Sequence, residues 1–451
     1  MQLSFLGATG TVTGSKYLLS HGHRQILIDC GLFQGLKNLR QRNWTPFPYA
    51  PENIHATVLT HAHLDHSGYL PRLAHLGFSG SIYSTKATHD LCDILLPDSA
   101  MIMEEEAGHA NKHGYSKHNP SLPLYTVDEA KAVSSQFQNI PWDKNISLGS
   151  GLTLRLLTAG HILGASIAII SDGNKTIVFS GDLGRSDDPI LPPPADLPDC
   201  DYLVVESTYG DRIHEPLDPG DQLADAINTT LKRNGTVIIP SFAVGRSQLL
   251  LYQLSELLRQ GKIPHIPIYI DSPMAHNVTD LYCRHIQDHK LSKSACHDIF
   301  GIAHYVTSPQ ESYNIGNDGK PKVLISASGM ATGGRVLHHI KALGGDARNM
   351  ILFSGYQAAG TRGAALLGGA TSLKIHGSYV EIFAEVRQLK NFSAHADSKG
   401  IINWLKTGKK KPIKTFITHG EPTAADTLRR NIHDTLGWDC EVPEYLQKVD
   451  L

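Results

Sequence analysis

The alternation of apolar and polar positions divides the chain into three stretches. Through about residue 210, short apolar runs end in small or polar turns, a pattern typical of β-strands. These runs are LSFLG, KYLLS, QILIDCG, ATVLTHAH, LTLRLLTAGH, SIAIIS, KTIVFSGDLG and DYLVVESTYG. Between about residues 85 and 135 the apolar positions recur at three-to-four spacing, which predicts helix. We therefore predict a sheet-dominated first part of a domain over residues 1–210.

A different rhythm occupies residues 211–390. Its segments each predict a strand, a glycine- or proline-marked turn and a helix: TVIIPSFAVGRSQLLLYQLSELL, IPIYIDSPMAHNVTDLYCRH, KVLISASGMATGGRVLHHIKAL and NMILFSGYQAAGTRGAALLGG. Repeated β-α units predict a mostly parallel sheet flanked by helices. From residue 391 the first rhythm returns. The predicted fold is therefore α/β, with one domain interrupted by a second and completed by residues 391–451.

Composition narrows the class of protein without naming a substrate. A chain of 451 residues exceeds what one hydrophobic core usually organises, and a net charge of −2 offers no global attraction to a polyanion. The six cysteines show no CxxC spacing, so we expect reduced thiols and no thiolate zinc site. No segment approaches 18 consecutive apolar residues, and the chain opens on a strand-like MQLSFLG. We expect a cytoplasmic protein without membrane spans.

Candidate metal chemistry is concentrated in the segment THAHLDHSG. It places His61, His63, Asp65 and His66 within six residues, directly after an apolar strand. Residues two apart at a strand end share a face, so His61 and His63 can hold one ion while the following turn brings Asp65 and His66 to another. Zinc suits this mixture of imidazole and carboxylate. The segment therefore predicts a metal site.

Three more ligand candidates each follow an apolar strand. His161 ends LRLLTAGH, Asp182 ends TIVFSGD and His419 ends TFITH. A carboxylate has two oxygens and can join two cations, which makes Asp182 a natural bridge. Taken singly, Asp182 could instead cap a turn, and either histidine could be a structural residue with satisfied hydrogen bonds.

Seven motifs in order resemble the metallo-β-lactamase superfamily, and more narrowly its β-CASP nucleases. The resemblance covers nearly the whole chain. The motifs are Asp29 in LIDCG, the HAHLDH box, His161, Asp182 in SGDLG, Glu206 in VESTYG, His395 in FSAHAD and His419 in THGE. The fold implied is an αββα sandwich carrying an inserted β-CASP domain.

The resemblance implies two zinc ions and a role for each motif. It assigns His61, His63 and His161 to one zinc, Asp65, His66 and His419 to the other, and Asp182 to both. Asp29 is expected beside the metals, accepting a hydrogen bond from a ligand histidine. The catalytic residues that it implies are His395, Glu206, Asp29 and Asp65. In this assignment His395 is the general acid and Glu206 supports His395. The open alternatives are a turn residue for Asp29, a surface or capping carboxylate for Glu206 and an N-cap neighbour for His395.

A phosphodiester substrate demands more than a pair of ions. Two ions can activate a water for in-line attack, which would leave a 5′-phosphate and a 3′-hydroxyl, but the departing oxygen needs a proton. Glycine-rich turns of the second domain could hold phosphates through backbone NH groups, with arginines nearby. These substrate-binding candidates are Ser328, Gly329, Arg246, Arg335 and Arg362. The family often has an arginine where this chain has Ala364, so the choice among the arginines stays open.

The resemblance implies RNA and not DNA as the substrate, because a histidine at the position of His419 is typical of the RNA-cleaving members of the family. We therefore expect a ribonuclease, endonucleolytic or 5′-exonucleolytic, that acts on single-stranded RNA, with a homodimer as the assembly expected by analogy. Two other hypotheses stay open. One is a dizinc hydrolase of small esters or thioesters, which should need neither Glu206 nor His395. The other is a non-catalytic RNA-binding homologue, which a metal assay would test.

Overall fold

The computed structural model describes residues 1–114, 117–214, 218–358, 360–389 and 392–451. The chain forms two compact units: Met1–Ile213 with His395–Leu451, and His214–Ala394. The boundary predicted at 210/211 lies close to the first of these junctions. The one predicted at 390/391 falls on residues outside the described ranges. The predicted α/β architecture of an interrupted domain is confirmed.

The first unit contains two mixed sheets. Its strands are β1 (Gln2–Phe5), β2 (Tyr17–His21), β3 (Arg24–Ile28), β4 (Ala56–Val58), β5 (Ser81–Ser84), β6 (Phe137–Asn139), β7 (Ile146–Gly149), β8 (Leu152–Thr158), β9 (Ser166–Ser171), β10 (Thr176–Phe179) and β11 (Tyr202–Glu206), followed after the second unit by β20 (Lys414–Thr418), β21 (Cys440–Glu441) and β22 (Lys448–Asp450). One sheet has the order β22-β1-β2-β3-β4-β5-β6, and the other β21-β20-β11-β10-β9-β8-β7.

The two sheets pack face to face around one apolar core. Rings from opposite sheets meet there: the Phe5 and Phe416 centroids are 5.2 Å apart, and those of Tyr17 and Phe179 are 5.9 Å apart. The helices of this unit are α1 (Lys37–Arg42), α2 (Leu64–Ser67), α3 (Leu70–His75), α4 (Lys86–His113), α5 (Val127–Ala132), α13 (Ser398–Leu405) and α14 (Pro422–Leu436). No helix among the described residues is long and apolar enough to cross a membrane.

The second unit has its own core under a parallel sheet. Its strands are β12 (Val237–Pro240), β13 (Ile268–Asp271), β14 (His304–Tyr305), β15 (Val323–Ser326), β16 (Met350–Phe353) and β19 (Glu385–Gln388), in the order β14-β13-β15-β12-β16-β19, with a separate hairpin of β17 (Ser372–Ile375) and β18 (Ser378–Glu381). Its helices are α6 (Pro219–Lys232), α7 (Arg246–Arg259), α8 (Pro273–Arg284), α9 (Lys293–Phe300), α10 (Pro309–Asn317), α11 (Arg335–Leu343) and α12 (Arg362–Leu367).

Local sequence explains where several of these helices begin. The hydroxyl of Ser272 accepts a hydrogen bond from the Ala275 N–H at 3.1 Å, and Pro273 occupies the first helical position of α8. Thr361 caps α12 in the same way through the N–H of Ala364. Such caps satisfy N–H groups that the first turn of a helix leaves without a partner.

Candidate metal centre

Seven histidine and aspartate side chains from separate strand ends converge within the first unit. His61 and His63 follow β4, His161 follows β8, Asp182 follows β10 and His419 follows β20. The ligand atoms form two compact groups, each with all of its atoms within 4.8 Å of one another. These groups are His61, His63, His161 and Asp182, and Asp65, His66 and His419.

The two carboxylate oxygens of Asp182 face different groups. Its Oδ2 lies 3.4 Å from His61 Nε2 and 3.5 Å from His161 Nε2. Its Oδ1 lies 3.3 Å from His66 Nε2 and 3.4 Å from His419 Nδ1. A carboxylate in this position can contact one cation with each oxygen.

The separations between ligand atoms fit zinc coordination. Two bonds of about 2.0–2.1 Å at a tetrahedral angle put their ligand atoms about 3.3 Å apart. His63 Nδ1 and His161 Nε2 are 3.1 Å apart, as are His66 Nε2 and His419 Nε2. Within the described part of the chain, His61 Nε2 and Asp182 Oδ1 are buried without a hydrogen-bond partner. Since buried polar atoms normally have partners, bound cations would account for both.

Protonation at the cluster also suits a cation. Burial lowers the pKa of His61 to about 3 and that of His63 to about 4, so both imidazoles are neutral, the form that binds metal. Although burial favours the neutral acid, the surrounding imidazoles hold the pKa of Asp182 well below its usual range. Burial likewise opposes charge on His66, but Asp182 and Asp29 raise its pKa well above the ordinary value. The carboxylates of Asp182 and Asp29 therefore stabilise a positive charge among the ligand side chains.

Asp29 contacts one of the ligand histidines, His66. Its Oδ2 lies 2.7 Å from His66 Nδ1, and it accepts hydrogen bonds from the Thr60 N–H at 2.8 Å and the Thr60 hydroxyl at 2.9 Å. A bond from His66 Nδ1–H leaves Nε2 of that ring directed at the other ligands. Asp29 and His419 both adopt left-handed backbone conformations, with φ of +56° and +51°. Such conformations in non-glycine residues concentrate at functional sites.

His395 and Glu206 form a pair beside the cluster. His395 Nδ1 lies 3.1 and 3.2 Å from the two Glu206 oxygens and 4.0 Å from Asp182 Oδ2. Glu206 is buried at the end of β11 and also accepts the Leu183 N–H at 2.6 Å, so the surface alternative for this residue does not hold. Burial disfavours charge on His395, yet Glu206 and Asp182 raise its pKa above the ordinary value.

The five substrate-binding candidates all lie in the second unit, where each is engaged locally. Ser328 Oγ accepts the N–H groups of Thr332 and Gly333 at 3.0 and 3.3 Å. Arg335 Nη1 contacts buried Asp271 at 2.6 Å. Gly329 packs against Phe242, and Arg246 donates a hydrogen bond to the Ser354 carbonyl. Arg362 donates to the carbonyls of Lys374 and Thr332. Their contact with substrate stays a prediction.

Sequence reasoning missed residues that hold the ligands in place. Thr60, which fixes Asp29, adjoins the histidine box and could have been found from that position. The hydroxyl of Thr208 lies 3.0 Å from His419 Nδ1. Buried Lys16 bonds the Gly31 carbonyl and lies 4.6 Å from the Phe33 ring centroid, and no sequence signal distinguishes it from a surface lysine.

The fold and the cluster define a metallo-hydrolase, and comparison with known families agrees. Residues 9–236 match the metallo-beta-lactamase superfamily, residues 247–366 the Beta-Casp domain, and residues 379–443 the Zn-dependent metallo-hydrolase RNA specificity domain. The chain belongs to the β-CASP family of the metallo-β-lactamase superfamily. The predictions of this family, its fold and a hydrolase of the nuclease class are confirmed.

Individual relatives extend over most of the chain. It is 34% identical to Ribonuclease TTHA0252 of Thermus thermophilus over 93% of each protein. It is 30% identical to the transcription termination factor FttA of Methanothermobacter thermautotrophicus, over 99% of this chain and 71% of that one. A crystal structure of a protein of unknown function from Enterococcus faecalis shares the fold, with a TM-score of 0.55, 14% identity and coverage of 100% and 99% of the two chains.

Proposed function

We propose that this chain is a zinc-dependent ribonuclease that hydrolyses phosphodiester bonds of single-stranded RNA, leaving a 5′-phosphate and a 3′-hydroxyl. The observation that carries the proposal is the pairing of a seven-residue ligand cluster with His395, which lies beside it and is held by Glu206. The similarity to a ribonuclease and the match to an RNA specificity domain support RNA as the substrate.

Seven residues would hold two zinc ions in this proposal. His61, His63 and His161 form one site, Asp65, His66 and His419 the other, and Asp182 gives one oxygen to each. When bound, the ions supply an activated water and neutralise charge on the phosphate oxygens. Asp29 orients His66, and Thr60 in turn fixes both oxygens of Asp29.

His395 supplies the proton that the departing ribose oxygen requires. With Nδ1–H donated to Glu206, the proton on Nε2 is the one that can pass to substrate. Glu206 is itself held by the Leu183 N–H, so the imidazole is fixed by backbone as well as by charge. An ester or thioester hydrolase has no use for this pair, which is why we favour the phosphodiesterase over that alternative.

The test uses single-stranded RNA labelled at either end, incubated with the purified protein. We expect cleavage that a chelator abolishes and added zinc restores, with products carrying 5′-phosphate and 3′-hydroxyl ends. An Asp182→Asn variant should bind less zinc and lose cleavage, while Lys112→Gln, an exposed change at the end of α4, should behave as wild type. Products ending in a 2′,3′-cyclic phosphate, or cleavage that persists without metal, would contradict the proposal.

A further inference from the structure

An unusual segment of the first unit lies outside the machinery described so far. Residues 34–51 contain Lys37, Arg40 and Arg42 and no acidic residue, in a chain whose net charge is −2. We call residues 34–51 the basic segment. It includes α1 and the residues leading to the next sheet strand.

Hydrogen bonds attach the basic segment to the loops that carry the metal-ligand candidates. Just before the segment, the Leu32 N–H donates to the carbonyl of Leu64, the neighbour of Asp65, at 2.8 Å. The Gln34 N–H donates to Thr13 Oγ1 at 3.2 Å, in the loop whose Ala8 carbonyl accepts the His419 N–H. The segment therefore starts at the edge of the metal cluster.

Buried Asn43 closes the base of the segment into a loop. Its side chain accepts the Phe33 N–H at 2.9 Å and donates to the Phe33 carbonyl at 2.8 Å. Arg42 lies over the rings of Tyr445 and Phe33, at 4.1 and 5.3 Å from their centroids. Trp44 therefore follows a residue that is tied to Phe33, next to the Leu32 N–H that contacts the Leu64 carbonyl.

Trp44 is the exposed aromatic group of the basic segment. Its side chain is 55% exposed, whereas Trp404 and Trp438 are buried. The other aromatic residues of the segment make contacts within the protein: Phe47 stacks on Tyr69, and the Tyr49 hydroxyl lies 2.8 Å from Ser4 Oγ. An exposed indole presents a flat apolar face on which a base can stack.

Two cations of the basic segment, Lys37 and Arg40, precede Trp44 by seven and four residues. In the ranges that the structure describes, neither Lys37 nor Arg40 forms a salt bridge, and both are exposed. In the lysine-rich stretch 406–414, by contrast, two lysines form ion pairs. There Lys410 pairs with Asp201 at 2.7 Å, and Lys414 pairs with Asp439 and Glu441 at 3.2 Å each.

We infer that the basic segment binds single-stranded RNA on the metal-bearing unit, with a base stacked on Trp44 and phosphates contacted by Lys37 and Arg40. This inference rests on the proposed function for its choice of polyanion. Exposed cations and an exposed aromatic ring within one short segment are the combination by which proteins bind single strands without reading sequence. The segment therefore extends the substrate path beyond the scissile phosphate.

The test measures binding of a fluorescent single-stranded RNA by anisotropy, in a His395→Ala background that slows turnover. Trp44→Ala should raise Kd about tenfold, as loss of one stacked base predicts. Lys37→Gln with Arg40→Gln should flatten the slope of log Kd against log salt by about 1.4, or about 0.7 per lost phosphate contact. Tyr313→Ala and Lys112→Gln remove an exposed ring and an exposed cation elsewhere and should leave both quantities unchanged.

Cleavage assays in the wild-type background separate this inference from the proposed function. The Trp44 and Lys37/Arg40 variants should show a raised KM for RNA and unchanged turnover of a minimal aryl phosphodiester. If the protein does not cleave RNA but the variants bind RNA more weakly than wild type, the inference about the basic segment is supported and the proposed nuclease activity is contradicted. Unchanged Kd and KM in the variants would overturn the inference, as would a dimer that Trp44→Ala dissociates without any change in RNA affinity.

Discussion

At the scale of single residues, His395 is the one for which we propose a catalytic role without metal binding. Its Nδ1 is bonded to Glu206, which is buried and fixed by the Leu183 N–H. Because Ala396 donates its N–H to the Leu183 carbonyl at 2.8 Å, the backbone around His395 is attached to the same point. The imidazole is thus oriented by Glu206 and by the backbone at Leu183 and Ala396.

Replacing His395 by alanine separates proton transfer from metal binding. We expect His395→Ala to keep its full zinc content and to lose about 10²–10⁴-fold in RNA turnover, as for removal of a general acid. Zinc is measured by elemental analysis and turnover at saturating substrate. Glu206→Gln should show a smaller loss, because the histidine remains but its charge is less favoured. Normal cleavage by His395→Ala, or loss of its zinc, would refute the role.

At the scale of elements, the cluster depends on close approach between loops that follow strands. A Cβ at Gly31 would lie 1.5 Å from the carbonyl oxygen of Asp65, and one at Gly184 would lie 1.9 Å from that of Gly160. The first contact sets the turn after β3 against the turn that carries Asp65 and His66. Only glycine permits these backbones to meet.

The Gly31→Ala variant tests that contact. The added methyl group must displace the Asp65 turn, so we expect a loss of about 1–3 kcal/mol in the free energy of unfolding and weaker zinc binding. Denaturant unfolding and zinc competition with a chelating dye measure the two effects. Gly108→Ala in α4 is the matched control, because its Cβ meets nothing within 4 Å. That control should be neutral or slightly stabilising, and an equal effect of both variants would rule out the close approach as the cause.

At the scale of the whole molecule, the candidate metal centre and the second apolar core belong to different units. The cluster lies in the unit formed by Met1–Ile213 and His395–Leu451, and the second unit has its own apolar core. All four tryptophans, Trp44, Trp142, Trp404 and Trp438, belong to the first unit, which holds the candidate metal centre. Tryptophan fluorescence therefore reports on that unit alone, while circular dichroism reports on both.

Removing metal should lower the stability of the first unit selectively. A ligand that binds only the folded state stabilises it by a few kcal/mol at concentrations well above Kd, so we expect chelation to lower the tryptophan-detected melting midpoint by about 10 °C. The part of the circular-dichroism transition that belongs to the second unit should not move. Restoring two equivalents of zinc should restore the midpoint. A fluorescence midpoint insensitive to chelator would show that the cluster does not bind metal as proposed.

The sequence by itself determined the features that depend on short spacing and on periodicity. His61 and His63 are two residues apart at a strand end, so their common direction follows from backbone geometry alone. The change from strand runs to β-α units predicted the interrupted architecture, because each rhythm matches the period of the element that it forms.

Only the tertiary structure decided which distant groups meet. The sequence cannot show that buried Asp271 contacts Arg335, that Lys16 lies between aromatic rings, or that Trp44 is exposed, since each depends on packing between remote segments. The contacts of the two Asp182 oxygens likewise depend on tertiary packing. Its position after β10 is local, but the distances from its two oxygens to four histidines exist only once both sheets have closed around their core.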